Sequence, residues 1–248
     1  MNIRKLSLVA GLIFVPVAAS AATTVNGIDD IYAAGSAFNT AVGIGGQDPV
    51  SILIPGSTSF YTFSVTGSII LNNGTGNNVN DADGVGAAAG SSSSTGANGF
   101  SGISAPGAGY LVGVFLAAGG PTGPAPAGFS GSTSFTTLAP VLDEVFFIGD
   151  GLTGDGTGTI QDFTVPSGAT TLYLGISDAC GYNGVPNCYA DNLGAFNVTA
   201  NDNGVGVQGT GTGVAASPEP SSLILMGTGT TCIFSSMFLR RRTIAPRS

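Results

Sequence analysis

Thr58-Ser59-Phe60-Tyr61-Thr62-Phe63-Ser64-Val65 alternates at period two. In an extended chain Phe60, Thr62 and Ser64 fall on one side, and Tyr61, Phe63 and Val65 fall on the other. The second side is the one to bury. The same alternation recurs where Leu172, Leu174 and Ile176 share a face within 170–177. Further short apolar runs at 50–54, 68–72, 110–116, 133–138, 144–148, 159–165 and 195–199 are each bounded by Gly, Pro, Asn or Asp, the punctuation of strands and turns. Nothing between Val25 and Ala200 sustains apolar spacing at three and four residues, so helix is not expected. Eight or nine strands of this kind predict an all-β domain, a jelly-roll-like β-sandwich. Two stretches read as surface loops instead: 74–109, which is rich in Gly, Asn, Ala and Ser, and 119–131, rich in Pro and Gly.

Charge separates this body from its ends. All six basic residues of the 248 lie at the termini: Arg4, Lys5, Arg240, Arg241, Arg242 and Arg247. Between Ala22 and Ser217 there is no Lys, Arg or His, but there are twelve Asp residues and Glu144. A body without cations cannot neutralise phosphate, which excludes nucleic-acid binding. Without His, neither a Ser-His-Asp nor a Cys-His mechanism is open to it. Glycoside cleavage needs two opposed carboxyl groups, but Asp143 and Glu144 are neighbours on a strand start and point to opposite faces. The body is therefore expected not to be an enzyme.

Residues 1–21 read as a secretory signal peptide. Arg4 and Lys5 open it, residues 6–17 are apolar, and Ala19-Ser20-Ala21 is the small-residue site that signal peptidase accepts. The apolar run is too short to span about 30 Å of hydrocarbon. The sandwich is expected over 22–200 and a Gly/Thr-rich linker over 201–217. At the other end Pro218-Glu219-Pro220 precedes a mostly apolar stretch, 221–239, followed at once by Arg240-Arg241-Arg242. As a helix this stretch reaches roughly 28 Å, enough for a bilayer core, and the arginines would stay cytoplasmic. Residues 243–248 would form a cytoplasmic tail.

This tripartite end, 217–242, resembles the PEP-CTERM sorting signal. The resemblance implies an exosortase as partner, passage through the inner membrane, processing near Pro218–Pro220, and a final place at the cell surface or in the exopolysaccharide matrix of a Gram-negative bacterium. Export through an oxidising periplasm makes a Cys180–Cys188 disulfide the default, stapling a short loop for about 2 kcal/mol. Cys232 lies in the tail and is set apart from the domain.

Asp178 and the adjacent pair Asp191-Asn192 flank that stapled loop. Taken alone, Asp-Asn shortly before a Gly reads more readily as a turn than as a metal site. The surrounding sequence, however, resembles the calcium-dependent galactose-binding lectins of the bacterial PA-I type. The likeness is densest in Tyr189-Ala190-Asp191-Asn192-Leu193-Gly194-Ala195-Phe196-Asn197-Val198, and it extends back through Asp178, Thr171-Leu172-Tyr173-Leu174, Phe163-Thr164-Val165-Pro166 and Gly109-Tyr110-Leu111-Val112-Gly113. In those lectins an Asp after the penultimate strand, two adjacent Asn residues before the last, and two main-chain carbonyls hold Ca2+. The resemblance implies Asp178, Asp191 and Asn192 as side-chain ligands. It implies the main-chain oxygens of Cys188 and Leu71 as the other two. A galactose-like sugar, or extracellular polysaccharide, would then complete the ion's shell. This chain departs from the family in its longer stapled loop and in having 74–109, without His, where the other sugar contacts arise. Asp81-x-Asp83 is either a second contact cluster or an acidic turn. Tyr182 and Tyr189 are either platforms for a sugar's apolar face or core and rim residues. The competing expectation is a structural matrix protein in which calcium only stiffens the sandwich.

Overall fold

The computed structural model describes residues 22–35, 45–72, 79–86, 90–121 and 123–204. The signal peptide, most of the linker, the Pro218-Glu219-Pro220 motif, the expected membrane helix and the arginine cluster lie outside the described residues. Among the described residues there is no α-helix, and no helix long and apolar enough to cross a membrane.

The strands, in chain order, are β1 (Thr23–Asn26), β2 (Val50–Leu53), β3 (Thr58–Ile70), β4 (Val79–Asn80), β5 (Ser91–Ser94), β6 (Ile103–Pro106), β7 (Leu111–Leu116) and β8 (Phe129–Ser130). They continue as β9 (Thr137–Leu138), β10 (Val145–Phe147), β11 (Leu152–Gly154), β12 (Thr157–Ile160), β13 (Asp162–Thr164), β14 (Thr171–Ile176), β15 (Asn183–Gly184) and β16 (Leu193–Gly204). One sheet runs β1-β16-β3-β13-β9, with β4 also on β3. A second runs β10-β7-β14-β2. The two face each other across a core that takes Tyr61, Phe63, Ile69, Phe163, Phe196 and Val198 from the first sheet, and Leu111, Phe115, Phe146, Leu172, Leu174 and Ile176 from the second. Tyr61 and Phe63 are buried and Val65 packs against the same cluster, as the alternation requires.

Two expected strands, 58–65 and 68–72, form the single strand β3. Gly67 permits this. It sits at φ +102, and a Cβ there would lie 2.5 Å from the carbonyl oxygen of Ala195 on the paired strand. The break suggested by a glycine is therefore a close approach, bridged by continuous pairing with β16. The expected strand 159–165 divides into β12 and β13, and of 133–138 only Thr137–Leu138 is strand. β16 runs to Gly204, four residues into the expected linker, because its pairing with β3 continues as far as Thr58.

The larger correction concerns 74–109 and 119–131. They are not simply loops. β5, β6 and β8, joined by β15, form a third sheet that covers the outer face of the second. Its Phe100, Ile103, Ala105 and Phe129 pack on Tyr110, Val112, Val114 and Phe147. All six residues of β7 are consequently buried, with Leu111 and Phe115 entering one core and Val112, Val114 and Leu116 the other. A strand covered on both faces reads as a continuous apolar run. Gly113 is the one gap in that run: a Cβ there would meet the Phe146 ring at 2.8 Å. The four serines of β5 carry no apolar signal, yet Ser92 and Ser94 are buried, and the Ser92 hydroxyl donates to the Tyr110 hydroxyl at 3.0 Å. The polar composition of β5 concealed a strand whose partners, not its own side chains, bring the apolar surface.

Candidate metal centre

β14 ends at Ile176 beside Leu111, and β16 begins at Leu193 beside Ile70. The connection between them, 177–192, carries Asp178, the stapled loop and the Asp191-Asn192 pair. Cys180 and Cys188 are joined by a disulfide, with Cα atoms 5.4 Å apart. The Asn187 N–H donates to the Asp178 carbonyl at 3.1 Å, so the loop returns directly onto the residue it left.

Asn192 is 3 % exposed and Asp178 8 %. The Asn192 amide nitrogen donates to Asp178 Oδ2 at 2.8 Å and to the Gly27 carbonyl at 3.0 Å. Two acceptors on one NH2 group fix the amide's orientation. Asn192 Oδ1 therefore turns elsewhere, and it is buried with no hydrogen-bond partner. Asp191 Oδ1 is likewise buried with no partner. The other Asp178 oxygen accepts from the Ala179 N–H at 2.7 Å. Burial pushes the Asp178 carboxyl up to about 6, against the hydrogen bonds from Asn192 and Ala179, and the nearby charges of Asp191 and Asp30 push it further the same way. No Lys, Arg or His side chain occurs among the described residues to offset these groups.

Cys188, at φ 71, is one of five non-glycine residues with left-handed backbone among those described. Its carbonyl receives only a long contact, 3.5 Å, from the Asp191 N–H. Leu71 follows the end of β3 with its side chain in the core. The next residue, Asn72, donates from its amide to the Tyr182 hydroxyl at 2.7 Å. The end of β3 is thereby tied to the stapled loop.

The expected donors are all oxygen: two carboxylates, one amide oxygen and two main-chain carbonyls. That suits a hard cation such as Ca2+, which accepts six to eight such ligands. Among the described residues no three His, Cys, Asp or Glu side chains converge as a metal-holding group. Any ion here must draw on amide and main-chain oxygens as well.

Tyr189 is not available to a sugar. It is wholly buried, and its hydroxyl accepts from the Asp178 N–H and donates to the Ile176 carbonyl, both at 3.2 Å. It is a strut inside the core. Tyr182 is half-buried and packs against the main core. Asp81 and Asp83 belong to another group. Asp81 Oδ1 accepts from the backbone N–H of Asp83 (3.0 Å) and Val85 (2.9 Å), which is a turn. Asp83 Oδ1 accepts from the Asp150 N–H at 3.1 Å, and burial raises its carboxyl to about 7, with Asp150, Asp81 and Asp155 adding repulsion. The charged neighbours of Asp178 are instead Asp191 and Asp30. The two acidic groups share no carboxylate.

Sequence reasoning missed the N-terminal wall. Gly27 supplies the carbonyl that orients Asn192, and its N–H bonds back to the Gly194 carbonyl at 3.0 Å. Asp29 and Asp30 are both buried, the latter capping the turn at Ile31–Ala33 through a 2.9 Å bond from the Tyr32 N–H. The signal was present in Asp29-Asp30 set directly before the apolar Ile31-Tyr32-Ala33-Ala34. Comparison with protein-family models, with curated proteins and with solved structures finds no match to this chain.

Proposed function

We propose that the chain is an exported surface or matrix protein whose jelly-roll-like sandwich binds Ca2+ and, through it, carbohydrate. The supporting observation is that Asp191 and Asn192 each carry a buried oxygen with no partner, while the Asn192 amide nitrogen is bonded to the buried Asp178 carboxylate and Asp191 is a charged neighbour of it. An orphaned buried acceptor costs roughly 1–3 kcal/mol. A divalent cation removes both penalties at once. Asp178, Asp191 and Asn192 would hold it through side chains, and Cys188 and Leu71 through main-chain oxygens. A bound Ca2+ supplies coordination positions that vicinal sugar hydroxyls can take from water. The role is binding, without turnover. The charged and apolar segments at the two ends of the sequence support export by signal peptidase and an exosortase-type enzyme, with final residence outside the inner membrane of a Gram-negative cell.

A second reading has one observation in its favour. With Tyr189 buried and no Trp in the chain, the aromatic platform usual beside a sugar is reduced to the half-buried Tyr182. On that reading calcium only stabilises a structural matrix protein. Two measurements separate the cases. The melting temperature of the full chain should rise with Ca2+ and fall with chelator. A glycan array probed with and without Ca2+ should then give calcium-dependent spots. A thermal response without such spots supports the structural role, and no thermal response removes both readings.

A further inference from the structure

Asn72 and Tyr182 lie 110 positions apart and are joined by the 2.7 Å bond from the Asn72 amide to the Tyr182 hydroxyl. Both hold left-handed backbone, Asn72 at φ 58 and Tyr182 at φ 68. Asn tolerates that conformation, but a bulky aromatic residue rarely does, and such strain persists only where the surroundings over-determine it. With Cys188, three of the five such residues described sit at the end of β3 or in the stapled loop. One partner of the bond directly follows Leu71, and the other lies between the two bridged cysteines. These are the two segments that supply main-chain oxygens in the proposed ion site.

We infer that the Asn72–Tyr182 hydrogen bond is a positioning latch that sets the spacing of the two carbonyl-bearing walls and makes the site selective for Ca2+ over Mg2+. The inference rests on the calcium reading above. Ca2+ accepts six to eight oxygens at 2.3–2.6 Å, whereas Mg2+ demands six near 2.0–2.1 Å, so selection follows from cavity size and rigidity. The disulfide alone fixes only the base of the loop. The pairing of β15 with β5 holds the tip of the loop, and the latch adds a separate tie from Tyr182 to the end of β3.

The test is calorimetric titration of the full chain with Ca2+ and with Mg2+, in wild type, Tyr182→Phe, Asn72→Ala and the double variant, alongside melting curves in chelator. Tyr182→Phe keeps the ring and removes only the hydroxyl. It should weaken Ca2+ binding by roughly three- to tenfold, the worth of one hydrogen bond. Mg2+ affinity should change less, so the Ca2+/Mg2+ ratio falls. The double variant should be no worse than the poorer single, because the two residues act as one unit. Equal loss of both ions, or unchanged Ca2+ affinity in Tyr182→Phe at an unchanged chelator melting point, overturns the latch. Absence of Ca2+ binding in wild type overturns the underlying reading instead.

Discussion

Asp191 and Asn192 are adjacent, and each has an unpartnered buried oxygen, but they differ in what else they do. Asn192 also donates two hydrogen bonds, to Asp178 and Gly27, whereas the hydrogen bonds that define the site pass through none of the Asp191 side-chain oxygens. Asp191→Ala should therefore leave the melting point in chelator unchanged or slightly higher, since it deletes an unmet acceptor, while abolishing the rise with Ca2+. Asn192→Ala should cost roughly 1–3 kcal/mol even in chelator, because it strips donors from a buried carboxylate and a carbonyl. Melting curves with and without Ca2+ distinguish the pair, and equal losses in chelator would count against the site. Tyr189→Phe tests the strut. It keeps the packed ring but leaves the Asp178 N–H without its acceptor, which should lower stability by about 1–2 kcal/mol. Asp178, Asp191, Asn192 and Cys188 came together as candidates only through the lectin resemblance, because Asp191-Asn192 taken alone reads as a turn. Gly27 did not join them, because a main-chain carbonyl 165 positions away leaves no trace in residue type.

At the scale of strands, legibility followed apolar content. β3, β7, β10 and β14 announce themselves because they place large side chains in a core, and β7 does so on both faces. β5 is four serines, and its place in a sheet is set by β6, β15 and Tyr110, which no local pattern encodes. β13 is only three residues long, yet its Phe163 is the meeting point of the main core. That ring lies 5.1 Å from Phe63, 5.7 Å from Phe135 and 5.8 Å from Phe146, linking both facing sheets and the segment before β9. Phe163→Ala should cost about 3–5 kcal/mol through lost burial and the cavity left behind. Phe135 is only partly buried, so Phe135→Ala should cost clearly less. Denaturant unfolding of the two variants checks the order, and an inverted order would mean the two sheets do not meet at Phe163.

The whole described body carries acids without a single base, so its stability must depend on pH in an unusual direction. Most proteins lose stability in acid because their carboxylates are paired in the folded state. Here burial raises Asp178 to about 6 and Asp83 to about 7, both above the ordinary 3.8 that the unfolded chain retains. The folded state thus binds protons more tightly than the unfolded one. The stability these groups confer is complete below about pH 4 and is lost as pH climbs through 6 and 7. For Asp178, a rise of about two units corresponds to at most about 3 kcal/mol. Self-repulsion of a chain with net charge −8 acts in the same direction but is screened by salt, whereas the buried contribution is not. In chelator and high salt, the melting temperature should therefore still fall between pH 5 and pH 8. Ca2+ competes with the proton at Asp178, so excess Ca2+ should raise the melting point strongly at pH 8 and hardly at pH 5, flattening or reversing the slope. A chelator curve that rises with pH would mean these carboxyls are solvated. A calcium increment equal at both pH values would place the ion away from Asp178.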